Sequence, residues 1–515
     1  MIDLTAAFGT VPDLIRQHAR LRGAQIALRQ NQRAVDFALL NQWMDRIASA
    51  LQRDRIEPQQ SVAICADNSI EYALVFLGCL RAGVAVVPLA PTAGADNLAA
   101  MLHDAQAQLI FVDAAANTTL DQTSAPIPLR RIRLDIDDTV ESLQHWAAAI
   151  GSAPSPITAQ PDWPFNIIYS SGTTGTPKGI VQPNSMRWTH VQRGPVVAYG
   201  PNAVTLLATP LYSNTTLVSF FPTLALGGCA ILMPKFDTTS YLALAQRYRV
   251  THTMLVPVQY QRLMAATDFD QTDLSSFQMK LCTSAPFAAD LKAAVLRRWP
   301  GGLMEYYGMT EGGGTCVLAA HLYPDKLHTV GQPAPGHDIR LIDEQGQEVA
   351  AGETGEVVGH SSAMMQGYFA QPEKTAAAEW FAPDGKRFIR TGDLGRFDAD
   401  GFLTLLDRKK DMIISGGFNI YPSDLETILR QHPAVSDVAV VGVPSTRWGE
   451  TPIGFVKLRQ TEDPVALLQW INQRVGKMQR IAKIEVVEAL PRSAIGKVLK
   501  RELRDLFQRQ HGPMH

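Results

Sequence analysis

Residues 61–112 read SVAICADNSIEYALVFLGCLRAGVAVVPLAPTAGADNLAAMLHDAQAQLIFV. Three short apolar runs, Ser61–Cys65, Ala85–Pro88 and Leu109–Val112, are separated by two stretches with helical spacing, Ser69–Ala82 and Asn97–Ala107. Strands alternating with helices at this interval predict βαβ units and a parallel sheet. Upstream, Val11–Leu21 also has helical spacing. The same alternation returns between Asn202 and Pro300, with candidate strands at Thr205–Ala208, Cys229–Met233, Thr253–Val256 and Met279–Thr283. Two such blocks predict two α/β subdomains.

After Gly301 the character changes. Turn signals crowd together (GGG, GQPAPGHD, DEQGQE, AAGETGE, DADG) around short runs such as Ile339–Ile342, Gly355–Val358 and Phe402–Leu405. They predict a smaller antiparallel β-rich piece, spanning about residues 310–407. Beyond Asp407 the pattern is small α/β again: Ser423–Arg430 helical, Val435–Val443 apolar, Val465–Val475 helical. The expected division is a large body over 1–407 and a C-terminal domain over 408–515.

Composition bounds the function. The 515 residues suit about three units at roughly 150 residues each. The 47 basic and 49 acidic residues leave a formal charge of −2, so no non-specific nucleic-acid or membrane-surface binding is expected. Charged residues at 19% and hydrophobic residues at 46% exclude a disordered chain. The five cysteines (Cys65, Cys79, Cys229, Cys282, Cys316) form no C-x-x-C pair, which argues against a disulfide framework and fits a reducing compartment. The first twenty residues lack a basic start and apolar run. The most apolar stretch, Ala73–Ala90, holds Arg81, Pro88 and two glycines, against the roughly 20 uninterrupted apolar residues of a membrane span. A soluble cytoplasmic protein is expected.

The segment Tyr169–Gly179, YSSGTTGTPKG, follows the apolar run Phe165–Tyr169. Its glycines let the backbone curl so that several N–H groups face one anion. Ser170, Ser171, Thr173, Thr174 and Thr176 add hydroxyl donors, and Lys178 adds a full charge. This is the chemistry of a polyphosphate cradle. The spacing is not that of Walker A, because Pro177 precedes Lys178 and Gly179 follows it. On composition alone a plain Ser/Thr/Gly surface loop is the alternative.

SSGTTGTPKG (170–179), YYGMTEGG (306–313), TGDLG (391–395), DRKKDMIISGGFNIYP (407–422) and PRSAIGKVLKREL (491–503) occur in that order. Together they resemble the signature segments of the adenylate-forming superfamily: acyl- and aryl-CoA synthetases, the adenylation domains of peptide synthetases, and luciferases. The resemblance covers roughly residues 10–510. It implies a multidomain α/β fold, with a large N-terminal domain of two α/β subdomains plus a β-barrel and a small mobile α+β C-terminal domain. The implied reaction is attack of a carboxylate on the α-phosphate of ATP, releasing pyrophosphate, followed by displacement of AMP by the thiol of CoA. The implied cofactors are ATP, Mg²⁺ and CoA.

Residue by residue, the resemblance implies the following roles. Ser170, Ser171, Gly172, Thr173, Thr174, Gly175, Thr176 and Lys178 hold the β- and γ-phosphates. Ser284, Ala285, Pro286, Tyr306, Tyr307, Gly308 and Met309 line the nucleotide, with Tyr307 stacking on adenine. Thr310 contacts the α-phosphate, and Glu311 holds Mg²⁺, a hard cation suited to carboxylate oxygen. Asp393 and Arg408 contact the ribose, and Lys410 is the hinge. Gly416 and Gly417 line the pantetheine tunnel, and Lys497 neutralises the charge between carboxylate and α-phosphate. Read without the resemblance, Glu311 is a loop acid, Asp393 a turn former, Lys410 a surface lysine and Lys497 part of a basic face.

The acyl-binding segment implied is Pro210–Thr216, PLYSNTT, with Tyr212, Ser213, Asn214, Ser284, Gly308, Gly312 and Gly313 around the pocket. From Gly194 to Pro234 there is no charged residue and no His. A buried substrate ammonium without a partner is costly, which argues against amino acids. A neutral aromatic, alicyclic or medium-chain acid is expected. Many relatives carry His where Ser213 stands. Ser213 and Asn214 are candidates for bonding a polar substituent or the carboxylate, or for capping a helix that starts near Thr215. Loading of a carrier-protein phosphopantetheine and an inactive nucleotide-binding regulator are the competing functions. A monomer or homodimer, with only the small-molecule acid, ATP and CoA as partners, completes the expectation.

Overall fold

The computed structural model describes residues 3–124, 127–134, 141–148, 153–170, 178–415, 418–476, 479–493 and 496–512. Its residues form two compact units. The first comprises residues 1–328, 333–338 and 359–389, and the second 329–332, 339–358 and 390–515.

The opening stretch folds as the alternation predicts. Ser61–Cys65 and Ala85–Leu89 pair in parallel, as do Ser61–Cys65 and Leu109–Val112. The intervening helix, Ile70–Arg81, starts where Ser69 accepts from the Tyr72 N–H. It is buried almost all round, so its apolar run needs no amphipathic stripe. Around these strands a seven-stranded sheet runs in the order Gly367–Tyr368, Lys178–Pro183, Pro164–Ser170, Ala85–Leu89, Ser61–Cys65, Leu109–Val112, Arg130–Arg133. The first two strands are antiparallel additions to a parallel interior.

The second block builds another sheet, with Gly302–Tyr307, Met279–Cys282, His252–Leu255, Val204–Leu207, Cys229–Leu232 and Ile26–Gln30 all parallel to their neighbours. Cys316–Ala319 and Arg33–Asp36 pair antiparallel at its flanks. Phe220 and Phe221, on the helix Asn214–Ala225, lie fully buried in the shared apolar core. All five cysteines are buried and free. Among the described residues no helix is long and apolar enough to cross a membrane.

The strand Arg387–Phe397 passes from the first unit into the second. Its start pairs with Glu379–Phe381 and its end with Leu403–Arg408, both antiparallel. The division between compact units therefore falls inside the β-rich piece, ahead of 407/408, where the domain boundary is expected. In the second unit, Val435–Ser445 and Gly449–Leu458 form a long antiparallel pair, extended by Ile413–Ser415 and Lys483–Val486. Val438 and Val440 face the helices Pro422–Arg430 and Pro464–Asn472, while Ala439, Val441 and Val443 face Lys500–His511. That period of two puts a helical layer on each face of the sheet.

Candidate active site

In the first unit, Pro164–Ser170 turns back into Lys178–Pro183 with Ser170 opposite Lys178. The cradle residues Ser171–Thr176, and the side chain of Ser170, lie outside the described residues. Lys178 is described: its Nζ stands 5.2 Å from the centre of the Tyr368 ring. The Tyr368 hydroxyl donates to Glu311 Oε1 at 2.9 Å. Burial, reinforced by the Glu311 carboxylate, pushes the Tyr368 phenol up, so it stays a protonated donor. Lys178 and Glu311, far apart in sequence, are joined by one ring that sequence reasoning missed. A two-residue strand beside Lys178–Pro183 supplies it, and so short a strand leaves no periodicity to read.

Glu311 is held by its backbone as well, its carbonyl accepting from Met365 N at 2.7 Å. The next residue, Gly312, has φ +77, and a Cβ there would stand 2.0 Å from the Ala363 carbonyl oxygen. A Cβ on Gly313 would meet Gly359 O at 2.8 Å. Close strand approach thus requires both glycines, whatever their place in an acyl pocket. Gly308 lies against Thr315, whose Oγ1 would be 3.2 Å from an added Cβ. Met309 packs with Ile180, Met365 and Tyr368. Tyr307 is half-buried. Tyr306 packs against the main core, and burial pushes its phenol up. Glu305, next before it, is buried in an ion pair with the equally buried Lys292.

In the segment Pro210–Thr216, expected to bind the acyl group, Ser213 caps the helix Asn214–Ala225, its Oγ accepting from Thr215 N at 3.3 Å. Thr215 Oγ1 and Ser284 Oγ lie 2.5 Å apart. Ser284 has φ +82, a left-handed conformation strained for any residue with a Cβ and typical of functional loops. Ala285 and Pro286 continue that loop, half-buried and exposed. Tyr212 is half-buried, its phenol pushed up to about 12 by burial and then by Asp67 and Cys65. Behind Asn214 lies a polar cluster the sequence did not disclose. Arg187, fully buried, donates through Nη2 to Asn214 Oδ1 (2.9 Å), to Asn166 Oδ1 (3.0 Å) and to Gln182 Oε1. Gln182 Nε2 donates to the Thr310 carbonyl at 2.6 Å. The charge-free span Gly194–Pro234 is real, but this arginine reaches it from seven residues upstream. Asn166 and Gln182, polar interruptions in apolar strands, were the available signal.

In the second unit, Asp393 and Arg408 are cross-strand neighbours, with Arg408 Nε 3.2 Å from Asp393 Oδ1. The Asp393 N–H donates to Thr391 Oγ1, whose own hydroxyl donates to Val357 O. Lys497 is presented by a tight turn. Gly496 has φ +77, Ser493 N donates to Lys497 O at 2.8 Å, and Lys497 N donates to Ser493 Oγ at 3.2 Å. Burial first, and then Arg408, pull the Lys497 pKa from 10.5 to about 8, while Asp393 acts in the opposite sense. Burial and the neighbouring Arg408 likewise lower Lys410. Asp411, beside it, is bound by Arg504 Nη2 at 2.6 Å. One unit thus brings together Asp393, Arg408, Lys410 and Lys497. Gly416 and Gly417 lie outside the described residues.

Residues 15–369 match the AMP-binding enzyme model, and residues 424–497 match the AMP-binding enzyme C-terminal domain. The chain belongs to the AMP-binding enzyme family. Within this family it falls among the AMP-forming acyl- and aryl-CoA ligases. It is 32% identical to a feruloyl-CoA synthase of Amycolatopsis sp, over 95% of this chain and 98% of that protein. It is 31% identical to the indoleacetate–CoA ligase of Aromatoleum aromaticum, over 96% and 98%. Its fold is that of the ATP-bound MatB of Rhodopseudomonas palustris, with a TM-score of 0.86 at 27% identity, covering 98% of this chain and all of that one. Against the adenylate-forming fold, the expected large α/β body and small C-terminal domain are both present.

Proposed function

We propose that this chain is an ATP-dependent acid–CoA ligase that activates an aromatic, alicyclic or medium-chain carboxylic acid. The observation that carries this reading is the grouping of Lys497 with the Asp393–Arg408 pair on one unit, a lysine delivered beside a ribose-type acceptor.

In the proposed chemistry, a carboxylate oxygen attacks the α-phosphorus of ATP and the bond to the pyrophosphate oxygen breaks. Lys178 and Lys497 offset the repulsion between two anionic reactants. Asp393 accepts from the ribose hydroxyls, its remaining oxygen fixed by Arg408. Mg²⁺ fits Glu311, whose carboxylate is oriented by the Tyr368 hydroxyl; when bound, the ion supplies charge neutralisation on the phosphates. The CoA thiolate then attacks the acyl carbonyl, and AMP leaves with the bonding pair. The named activities of the two relatives support CoA as acceptor and an aryl acid as substrate.

The test is pyrophosphate release across benzoates, cinnamates, arylacetates and fatty acids, with CoA or a holo-carrier protein as acceptor. Acyl-CoA formation is expected. Thioester formed only on the carrier, or nucleotide binding without pyrophosphate release for any acid, would overturn it.

A further inference from the structure

Arg187 is a guanidinium taken wholly out of water, with no carboxylate bonded to it among the described residues. Its charge is met by three amide oxygens, those of Asn166, Gln182 and Asn214, and by the faces of Phe165 and Phe221 at 5.6 and 5.8 Å. It also stands at the N-terminal, electropositive end of the helix Asn214–Ala225. A cation in that position contributes little to stability. Apolar side chains of similar volume would pack the same space at lower cost.

The cluster does fix hydrogen-bond polarity. A guanidinium can only donate, so every amide group it touches must turn its oxygen inward. Asn166 Oδ1 accepts from Arg187 Nε (3.3 Å) and Nη2, which leaves the Asn166 amide nitrogen to donate to Gln182 Oε1 at 2.9 Å. Gln182 Nε2 is then free to donate to Thr310 O and, at 3.4 Å, to Asn214 Oδ1. Asn214 Oδ1 therefore receives two donors, Arg187 Nη2 and Gln182 Nε2. Flipping the Asn214 amide would set its NH2 against both of them in a buried site. Its orientation follows from the network. The Asn214 NH2 has no protein acceptor among the described residues, and Asn214 is half-buried.

We propose that Arg187 is a positioning residue that locks Asn214 with its NH2 presented as a donor to the acyl group, so that the enzyme selects acids carrying a hydrogen-bond acceptor, such as an ether, hydroxyl or ketone oxygen. This rests on the reading of Pro210–Thr216 as the acyl-binding segment. A site built to bond an oxygen discriminates against the analogue lacking it, because its donor is then left unpaired. The same network ties Asn214 to the Thr310 carbonyl, so the acyl wall and the nucleotide segment share one rigid anchor.

Two variants test it in the full-length enzyme. Asn214→Asp keeps an oxygen facing Arg187, replaces the NH2 donor by an acceptor oxygen and adds a negative charge beside the guanidinium. Arg187→Met removes the lock and leaves Asn214 in place. Pyrophosphate release is measured for matched acids, methoxycinnamates against cinnamate and oxo fatty acids against the plain chains. The wild type is expected to favour the acceptor-bearing member by about tenfold in kcat/KM, the scale of one hydrogen bond. Asn214→Asp should erase that ratio. Arg187→Met should reduce it mainly through a larger rise in KM for the acceptor-bearing acid than for the plain one. A merely structural role would lower both members equally and leave the ratio intact. An unchanged ratio in Asn214→Asp, or no preference in the wild type, would overturn the proposal. No pyrophosphate release by the wild type with any acid would instead overturn the ligase reading, and this proposal with it.

Discussion

Lys497 carries a charge whose presence depends on where the fold puts it. Burial and Arg408 bring its pKa down to about 8, below the ordinary lysine value of 10.5. In the proposed role the protonated form neutralises the reacting anions, so activity should be full below that value and fall as pH rises through it. The measurement is the pH profile of pyrophosphate release. The limb in kcat/KM for ATP should lie near 8, and the limb in kcat higher, since bound phosphates favour the charged lysine. A flat profile up to pH 10 would contradict the assignment. At the same scale, Tyr368→Phe removes one hydroxyl and the bond it gives to Glu311. The apparent Mg²⁺ affinity should weaken by about tenfold while saturating Mg²⁺ restores most of the rate, as when an orienting partner of a metal ligand is lost.

Elements hold these side chains by close backbone approach as much as by side-chain packing. The segment Gly308–Gly314 runs from a parallel strand into an isolated bridge between Gly312 and Met364. With φ +77 and a carbonyl 2.0 Å from the position of any Cβ, Gly312→Ala is incompatible with that bridge. It should cost about 3 kcal/mol or more and displace Glu311, read as a lower thermal midpoint together with weaker Mg²⁺ dependence. The helix Asn214–Ala225 shows a different logic. Its N-terminus is capped by Ser213, as the sequence allowed, yet its first residue is bonded from behind by Arg187 on a separate helix, Asn184–Arg193.

In the proposed mechanism the labour divides between two units that the chain enters more than once. The first carries Lys178, Glu311, Tyr368 and the acyl segment; the second carries Asp393, Arg408, Lys410 and Lys497. A lysine used only for adenylation leaves thiol transfer untouched. Lys497→Ala should therefore lower pyrophosphate release by at least about a hundredfold, the range for loss of a charge aimed at the transition state. CoA acylation from supplied acyl-adenylate should continue near the wild-type rate. Equal loss of both half-reactions would show instead that the turn Ser493–Lys497 supports the unit's structure.

The order of local signals was enough to specify much of this. Apolar runs separated by helical spacing fix two parallel sheets, because burial on both faces demands continuous apolar strands. Glycine, hydroxyl and lysine content singles out Ser170–Lys178 as the candidate phosphate segment, most of which lies outside the described residues. Three things waited for tertiary structure. Tyr368 reaches Glu311 only because a two-residue strand docks beside Lys178. The unit division cuts through the β-rich piece, since compactness depends on pairing between segments remote in sequence. Arg187 reaches the candidate acyl segment because two sheet strands and two helices meet at Asn166, Gln182 and Asn214. A one-dimensional window that counted charges from Gly194 to Pro234 could not contain it. Hydrogen bonding is local in space, and the chain brought that guanidinium in from outside the window.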